Sequence, residues 1–253
     1  MDRDGILARL AALPGEIGFY YVNLSTGETC ALRENDLFES ASVIKLPMFA
    51  AILKWSAEGT VDLTQRLSFT EADKCPSCGA LQFFPTPMDV EIETLCKLMI
   101  TLSDNTATNL LLRRFGLAAF NEEFRRMGLE NSRIERFLFD PAASARGLEN
   151  RVTPRDMGLL LERIYRRTFV NEAVSAYAED VLLRQQIKHK LRGYLPKSIP
   201  AAHKTGEDEG ITNDVGIVFG ARPFVVCYLT NRTDVPQAER AIRETTLQLV
   251  EEA

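Results

Sequence analysis

The chain has 253 residues, 45% hydrophobic and 26% charged, which suits a globular protein with one sizeable core or two joined ones. Its formal net charge is −5, so no basic field is available to hold nucleic acid or an anionic membrane surface. No apolar run approaches the roughly 18 residues that a bilayer span requires.

The opening Met1-Asp2-Arg3-Asp4-Gly5 lacks a basic stretch leading into an apolar one, so no signal peptide is legible. As written the chain is expected in the cytoplasm; a trimmed copy would belong to the periplasm or the outside. Five cysteines, Cys30, Cys75, Cys78, Cys96 and Cys227, form an odd, sparse set that suits free thiols better than a disulfide framework.

Ile6, Leu7, Leu10 and Ala11 recur at helical spacing over residues 4–12, and Pro14-Gly15 ends the pattern. The aromatic and β-branched run from Ile17 to Val22, then Ser25-Thr26-Gly27 and a second run to Leu32, reads as a β-hairpin. Helical periodicity follows, predicting helices over 42–57, 91–101, 105–115, 117–127, 154–167 and 172–186. Gly128 stands where a C-terminal cap is wanted, and Thr153-Pro154 where a helix starts. Asp214–Gly220 and Pro223–Thr230 form a second strand pair, and Leu247 and Val250 belong to a closing helix. Strands at both ends with helices between predict an α+β fold: an antiparallel sheet built by both chain ends, with flanking helices and an inserted helical domain. The expected division is 1–39 with 187–253 as the α/β part and 40–186 as the all-α part. The active site is expected in the cleft between them.

Three short motifs carry chemistry. Ser42-Val43-Ile44-Lys45 sets a serine one turn before a lysine at a helix start, where partial positive charge favours an alkoxide or oxyanion. A lysine with a lowered pKa can then serve as base. Ser103-Asp104-Asn105 opens a helix, and Lys204-Thr205-Gly206 enters the terminal sheet. Each has an ordinary structural explanation: an N-cap with a surface lysine, a plain helix start, a solvated strand edge. Their conjunction in this order does not.

These motifs are shared by class A β-lactamases and penicillin-binding proteins. The chain resembles the class A β-lactamases further, in Phe38-Glu39-Ser40-Ala41-Ser42-Val43-Ile44-Lys45-Leu46-Pro47 and in the run from Leu98 to Leu111. It does so again in Thr153-Pro154-Arg155-Asp156-Met157 and in Leu195-Pro196. The resemblance implies that Ser42 attacks a carbonyl, Lys45 takes or relays its proton, Ser103 passes a proton to the leaving nitrogen and Lys204 supports Ser103. It implies that Asn105 bridges the helical side of the cleft and that the N–H groups of Ser42 and Glu207, which follows Gly206, form the oxyanion hole. Thr205 would bind a substrate carboxylate, with Lys190 or Arg192 assisting. No metal or cofactor is called for, and the partner is a small acyl compound, with no nucleic acid and no obligate protein partner.

The chain departs from the family in three places. The Ω-loop motif Glu-x-x-Leu-Asn, whose Glu activates the deacylating water, is missing between Gly128 and Thr153; Asp140 is the nearest carboxylate candidate. Glu207-Asp208-Glu209 brings three negative charges to the turn after Gly206, which is expected to disfavour anionic ligands. Cys75 and Cys78 form a C-x-x-C pair, but no second pair follows to complete a zinc site. They read as two loop cysteines without a special role, or as an incidental disulfide. Phe49 stands where some relatives have the cysteine partner of Cys96, so that bridge cannot form. Trp55 and the Phe83-Phe84 pair read as core, with the phenylalanines alternatively at the cleft rim. The expected function is β-lactam opening through an acyl-enzyme on Ser42 with slow deacylation. The alternatives are a D-alanyl peptidase, amidase or esterase, or a penicillin-acylated sensor.

Overall fold

The computed structural model describes residues 2–252. Met1 and Ala253, the outer ends of the expected α/β segments, lie outside the described residues. The chain begins with α1 (Arg3–Ala11), β1 (Glu16–Asn23), β2 (Thr29–Leu32) and β3 (Phe38–Glu39). A 3-10 turn (Ala41–Ile44) leads into α2 (Lys45–Ala57), followed by β4 (Arg66–Phe69) and β5 (Met88–Glu91). Then come α3 (Ile92–Thr101), α4 (Asn105–Phe115), α5 (Leu117–Arg126), α6 (Pro141–Ser144) and β6 (Arg151–Val152). Next are α7 (Pro154–Tyr165), α8 (Glu172–Leu183), β7 (Ala201–Asp208), β8 (Ile211–Val218), β9 (Phe224–Asn231) and α9 (Val235–Glu251).

The main sheet runs β2-β1-β9-β8-β7, antiparallel throughout, and is drawn from both ends of the chain as expected. The central strands β1 and β9 read as nearly continuous apolar runs because both faces are covered. Ile17, Phe19, Tyr21, Val226 and Tyr228 face α1 and α9, meeting Ile6, Leu10, Ile242 and Leu249. Tyr20, Val22, Val215, Ile217, Val225 and Cys227 face the other way, into a core continuous with Phe49, Leu95, Leu111 and Leu161 of the helices. α7 lies against β1, β8 and β9. Gly158 permits that approach, since a Cβ there would stand 2.3 Å from Tyr20 Cδ1. Among the described residues no helix is long and apolar enough to cross a membrane.

Three details differ from the expectations. The helix predicted over 42–57 opens as a 3-10 turn and becomes α-helical only at Lys45. The chain also holds two small sheets, β3-β6 and β4-β5, whose strands of two to four residues are too short to show a period. Trp55 packs against Phe115 and Phe120, with centroids 5.2 Å away in each case. Phe83 and Phe84, by contrast, are exposed, because only Leu81 of their short 3-10 turn reaches the core.

Asn213 ties the sheet to the segment before Ser42. The β8–β9 ladder ends at Asp214 and Tyr228. Beyond it the buried Asn213 accepts from Thr230 N at 2.7 Å and donates to Glu39 O and Ser40 O at 3.0 and 3.3 Å. Asn213→Ala leaves a buried N–H and two buried carbonyls without that partner, and is expected to cost about 2–4 kcal/mol in urea denaturation. A loss below about 1 kcal/mol would show that this pin is dispensable.

Candidate active site

Ser40 N and Ser40 Oγ both donate to Asn150 O, at 2.8 and 3.0 Å, and Val43 N returns to Ser40 O at 2.9 Å. These bonds hold Ala41 in a left-handed conformation, φ +42°, which costs energy for any residue with a Cβ. Residues three apart eclipse in a 3-10 turn, so Ser42 and Lys45 project to one side. Ser42 lies in the wall of a cleft of about 690 Å³, with Ser40, Cys78, Asn105, Leu138 and Glu207.

Lys45 is fully buried, and Nζ donates to Ser103 O at 2.7 Å, Asn105 Oδ1 at 2.7 Å and Ser103 Oγ at 3.1 Å. Its three donors are thus occupied, and among the described residues none is bonded to the Ser42 hydroxyl toward which the one-turn spacing directed it. A buried ammonium needs every proton satisfied, and Ser103 and Asn105 offer three acceptors at once. Lys204, also fully buried, donates to the same Ser103 Oγ at 3.1 Å and to Thr205 O at 2.8 Å. One serine hydroxyl therefore joins two lysines.

That junction requires Ser103 at φ +54°, between the end of α3 and the start of α4. Asp104 fixes it: Oδ1 caps α4 through Ala107 N at 2.9 Å, and Oδ2 accepts from Ala80 N and Leu81 N at 2.7 and 2.9 Å. Burial lowers the Lys45 pKa to about 7, opposed by Cys78 and Cys75 when these are thiolates and by the Asp104 carboxylate. Burial also holds Lys204 well below the ordinary lysine range, and the positive charge of Lys45 adds to it.

β7 is the edge strand facing the 3-10 turn that carries Ser42. Gly206 allows the approach, because a Cβ there would stand 2.8 Å from Ser40 O and 3.2 Å from Ser42 N. Strand alternation sends Lys204 toward Ser103 and turns Thr205 and Glu207 to the other face. On that face Lys190, buried, donates to Gly206 O at 2.9 Å and Asn213 O at 3.3 Å and pairs with Glu207 Oε1 at 3.1 Å. Burial outweighs the pull of Glu207 and Asp214, so the Lys190 pKa is lowered. Glu207 is thus a partner of Lys190 as well as a negative charge at the cleft.

The remaining candidates divide. Asn105 lines the cleft and receives the Lys45 ammonium, while Thr205 is nearly fully buried, its backbone O accepting from Lys204. Arg192 does not join them; its Nη1 reaches Pro196 O at 3.4 Å. Asp140 does line the cleft, but its Oδ1 caps α6 through Ala143 N at 2.9 Å. Glu149, in the same wall, is held by Arg136 Nε at 2.7 Å and by Ser144 Oγ at 2.5 Å.

Sequence reasoning missed Leu138, Asn109 and the part played by Asn150. Leu138 occupies the cleft wall and is pinned at both ends by Asn109, whose Oδ1 accepts from Leu138 N and whose Nδ2 donates to Leu138 O, each at 3.0 Å. Asn109 lies one turn after Asn105 on α4, a spacing that puts both amides on one helix face and was available as a signal. Asn150 carries the Ser40 contact on its carbonyl, which no side-chain pattern records.

The family model described as the beta-lactamase enzyme family matches residues 3–253. The chain belongs to that family. A beta-lactamase of Streptomyces albus G is 28% identical over 96% of this chain and 84% of its own length. One from Streptomyces cellulosae is 30% identical over 94% and 80%. Among solved structures, the beta-lactamase from Sphaerobacter thermophilus DSM 20745 superposes with a TM-score of 0.90 at 29% identity, covering 100% of this chain and 99% of that one. PBP-A matches at a TM-score of 0.89 and 28% identity, covering 99% and 94%. A leucine-to-glutamate variant of PBP-A, solved as an acyl-enzyme complex with penicillin G, also matches at 0.89, with 27% identity and coverage of 99% and 95%. This beta-lactamase-family chain therefore shares the whole fold of those neighbours.

The lysine pair generates a titration prediction. The Lys45 Cε carbon-13 resonance is expected to titrate with a midpoint of about 7, the ammonium form lying below it and the amine above. Lys45→Met removes the resonance, and a midpoint in the ordinary range near 10.4 would show that burial does not act on this group as described.

Proposed function

We propose that this chain is a class A β-lactamase-type serine hydrolase that opens β-lactam rings by acylating Ser42 and releases the product slowly. The observation that carries the reading is the Ser103 hydroxyl held between Lys45 and Lys204, 3.1 Å from each. The working cleft lies between an α/β part, residues 1–39 and 187–253, and a helical part, residues 40–186. With a pKa of about 7, Lys45 is partly the neutral amine at physiological pH and accepts the Ser42 proton as Oγ attacks the carbonyl carbon. The N–H groups of Ser42 and Glu207 receive the oxyanion. As the C–N bond breaks, Ser103 gives its proton to the leaving nitrogen and recovers one from Lys45 across their contact, with Lys204 stabilising the transient charge.

Thr205 and Lys190 form the subsite for a substrate carboxylate. Glu207 competes there, since its own carboxylate already pairs with Lys190 at 3.1 Å. Glu207→Ser is expected to speed acylation by penicillins several-fold, and more at low salt than at high salt because the exposed charge is screened. An unchanged rate at both ionic strengths would remove Glu207 from substrate selection.

Slow release follows from the cleft wall. Leu138 stands there, while Asp140 and Glu149 are engaged in a helix cap and an ion pair. General-base activation of water contributes about 10²–10⁴-fold. A labelled penicillin should therefore give a burst equal to the enzyme concentration, an adduct on the Ser42 peptide and slow turnover. Ser42→Ala should abolish the adduct, and Leu138→Glu should raise the deacylation rate by about 10²-fold or more. Fast turnover without a burst, or an adduct that survives Ser42→Ala, would sink the mechanism. The same wall favours a second reading, acyl transfer from a D-alanyl peptide or ester, and release of D-alanine by the wild-type protein would decide for it.

A further inference from the structure

The five cysteines form two populations. Cys30, Cys96 and Cys227 are buried, and burial pushes all three thiols up. Cys75 and Cys78 are partly exposed, and Cys78 stands in the wall of the Ser42 cleft. Between them lie Pro76 and a left-handed Ser77, φ +77°, and the chain bends through Pro76, Ser77 and Cys78. Tightening of that bend to a β-turn would bring the Cys75 and Cys78 Cα atoms within about 7 Å, close to the roughly 4.4–6.8 Å that a disulfide spans.

This segment is stitched to the lysine pair. Asn105 Nδ2 donates to Pro76 O at 3.0 Å, and Asn105 N donates to Cys78 O at 3.2 Å. Cys75 N donates to Thr106 Oγ1 at 2.9 Å. Asn105 Oδ1 in turn receives the Lys45 ammonium at 2.7 Å. Asn109 Nδ2 donates both to Cys75 Sγ at 3.2 Å and to Leu138 O, so one amide joins the sulfur to the opposite wall. As thiolates, both would lie close enough to Lys45 to act on its charge, Cys78 more strongly than Cys75.

We propose that Cys75 and Cys78 form a thiol–disulfide exchange site that turns the Ser42 cleft off when oxidised by a low-molecular-weight disulfide, RSSR. Cys78, open to the cleft, loses its proton and attacks one sulfur of RSSR, giving a protein–SR mixed disulfide and a thiolate that takes up a proton to leave as RSH. Cys75, whose thiol burial pushes up, resolves it. Its deprotonated sulfur attacks the Cys78 sulfur, the Cys75–Cys78 bond forms and a second RSH leaves. The protein gives up two electrons and two protons, and RSSR receives both. Closure draws Cys75 Sγ away from Asn109 and shifts the Pro76 and Cys78 carbonyls that orient Asn105. Lys45 then loses a positioned acceptor.

The test uses the whole, fully reduced protein and oxidised glutathione. The expected product is two hydrogens lighter by intact mass, with the new bond mapped to Cys75 and Cys78 and the other three thiols still free. Cys75→Ser is expected to stop at a stable glutathione adduct on Cys78, and Cys78→Ser to form neither product. Acylation of Ser42 by labelled penicillin should fall at least roughly tenfold in the oxidised protein, as loss of one charge-assisted hydrogen bond implies, and return with dithiothreitol. No Cys75–Cys78 bond, or a bond that leaves acylation unchanged, overturns the proposal. Only this last readout rests on the proposed acylation of Ser42. Should the reduced protein not be acylated at all, the mass decides the exchange chemistry. The Lys45 Cε titration then decides its reach, an unmoved midpoint in the oxidised protein counting against it.

Discussion

The site depends on one constraint: two lysine side chains buried without exposure around a single serine hydroxyl. An ammonium taken out of water must have its protons bound, and two of them 3.1 Å from the same oxygen also repel each other. The surrounding structure resolves this by lowering both pKa values and by giving Lys45 a carbonyl and an amide oxygen besides the hydroxyl. That solution serves chemistry as well as stability. A lysine near neutrality can take a proton, and a hydroxyl between two lysines can pass one on.

Much of the remaining architecture holds that junction in place. Lys45 comes from the start of α2, Ser103 from the strained link between α3 and α4, and Lys204 from the sheet edge. Three elements far apart in sequence must therefore meet within hydrogen-bond distance. Asp104 secures the second by capping α4 while binding Ala80 and Leu81 of the β4–β5 connection. Asn213 secures the first against the sheet, and Gly206 lets the sheet edge come close enough for the third to reach. Each of these residues accepts or donates several bonds at once, so their positions are interdependent rather than individually strong.

The acids of the cleft show how neighbours redirect a charge without removing it. Glu207 could oppose an anionic ligand, yet it sits on Lys190, so ligand and side chain contend for one cation. Asp140 and Glu149 also line the cleft but are held by a helix N-terminus and an arginine, and Leu138 lines the same wall. The acidic composition of the cleft therefore says less about its chemistry than the pairing of each acid does.

The sequence by itself determined the main helices, the sheet drawn from both chain ends and which side chains are candidates for the chemistry. Those follow from local periodicity and from three motifs whose residue types suit acyl-transfer chemistry. It also showed that Glu-x-x-Leu-Asn is missing, because an absent motif is as legible as a present one. Only the tertiary structure decided that Lys45 turns to Ser103 and Asn105, that Lys190 and not Arg192 lies under β7, and that Leu138 lines the cleft. It alone decided that Phe83 and Phe84 stay outside the core. The physical reason is common to all four. Where a side chain points in the cleft depends on which buried donors and acceptors are left unpaired by other segments, and that account closes only when the chain is folded.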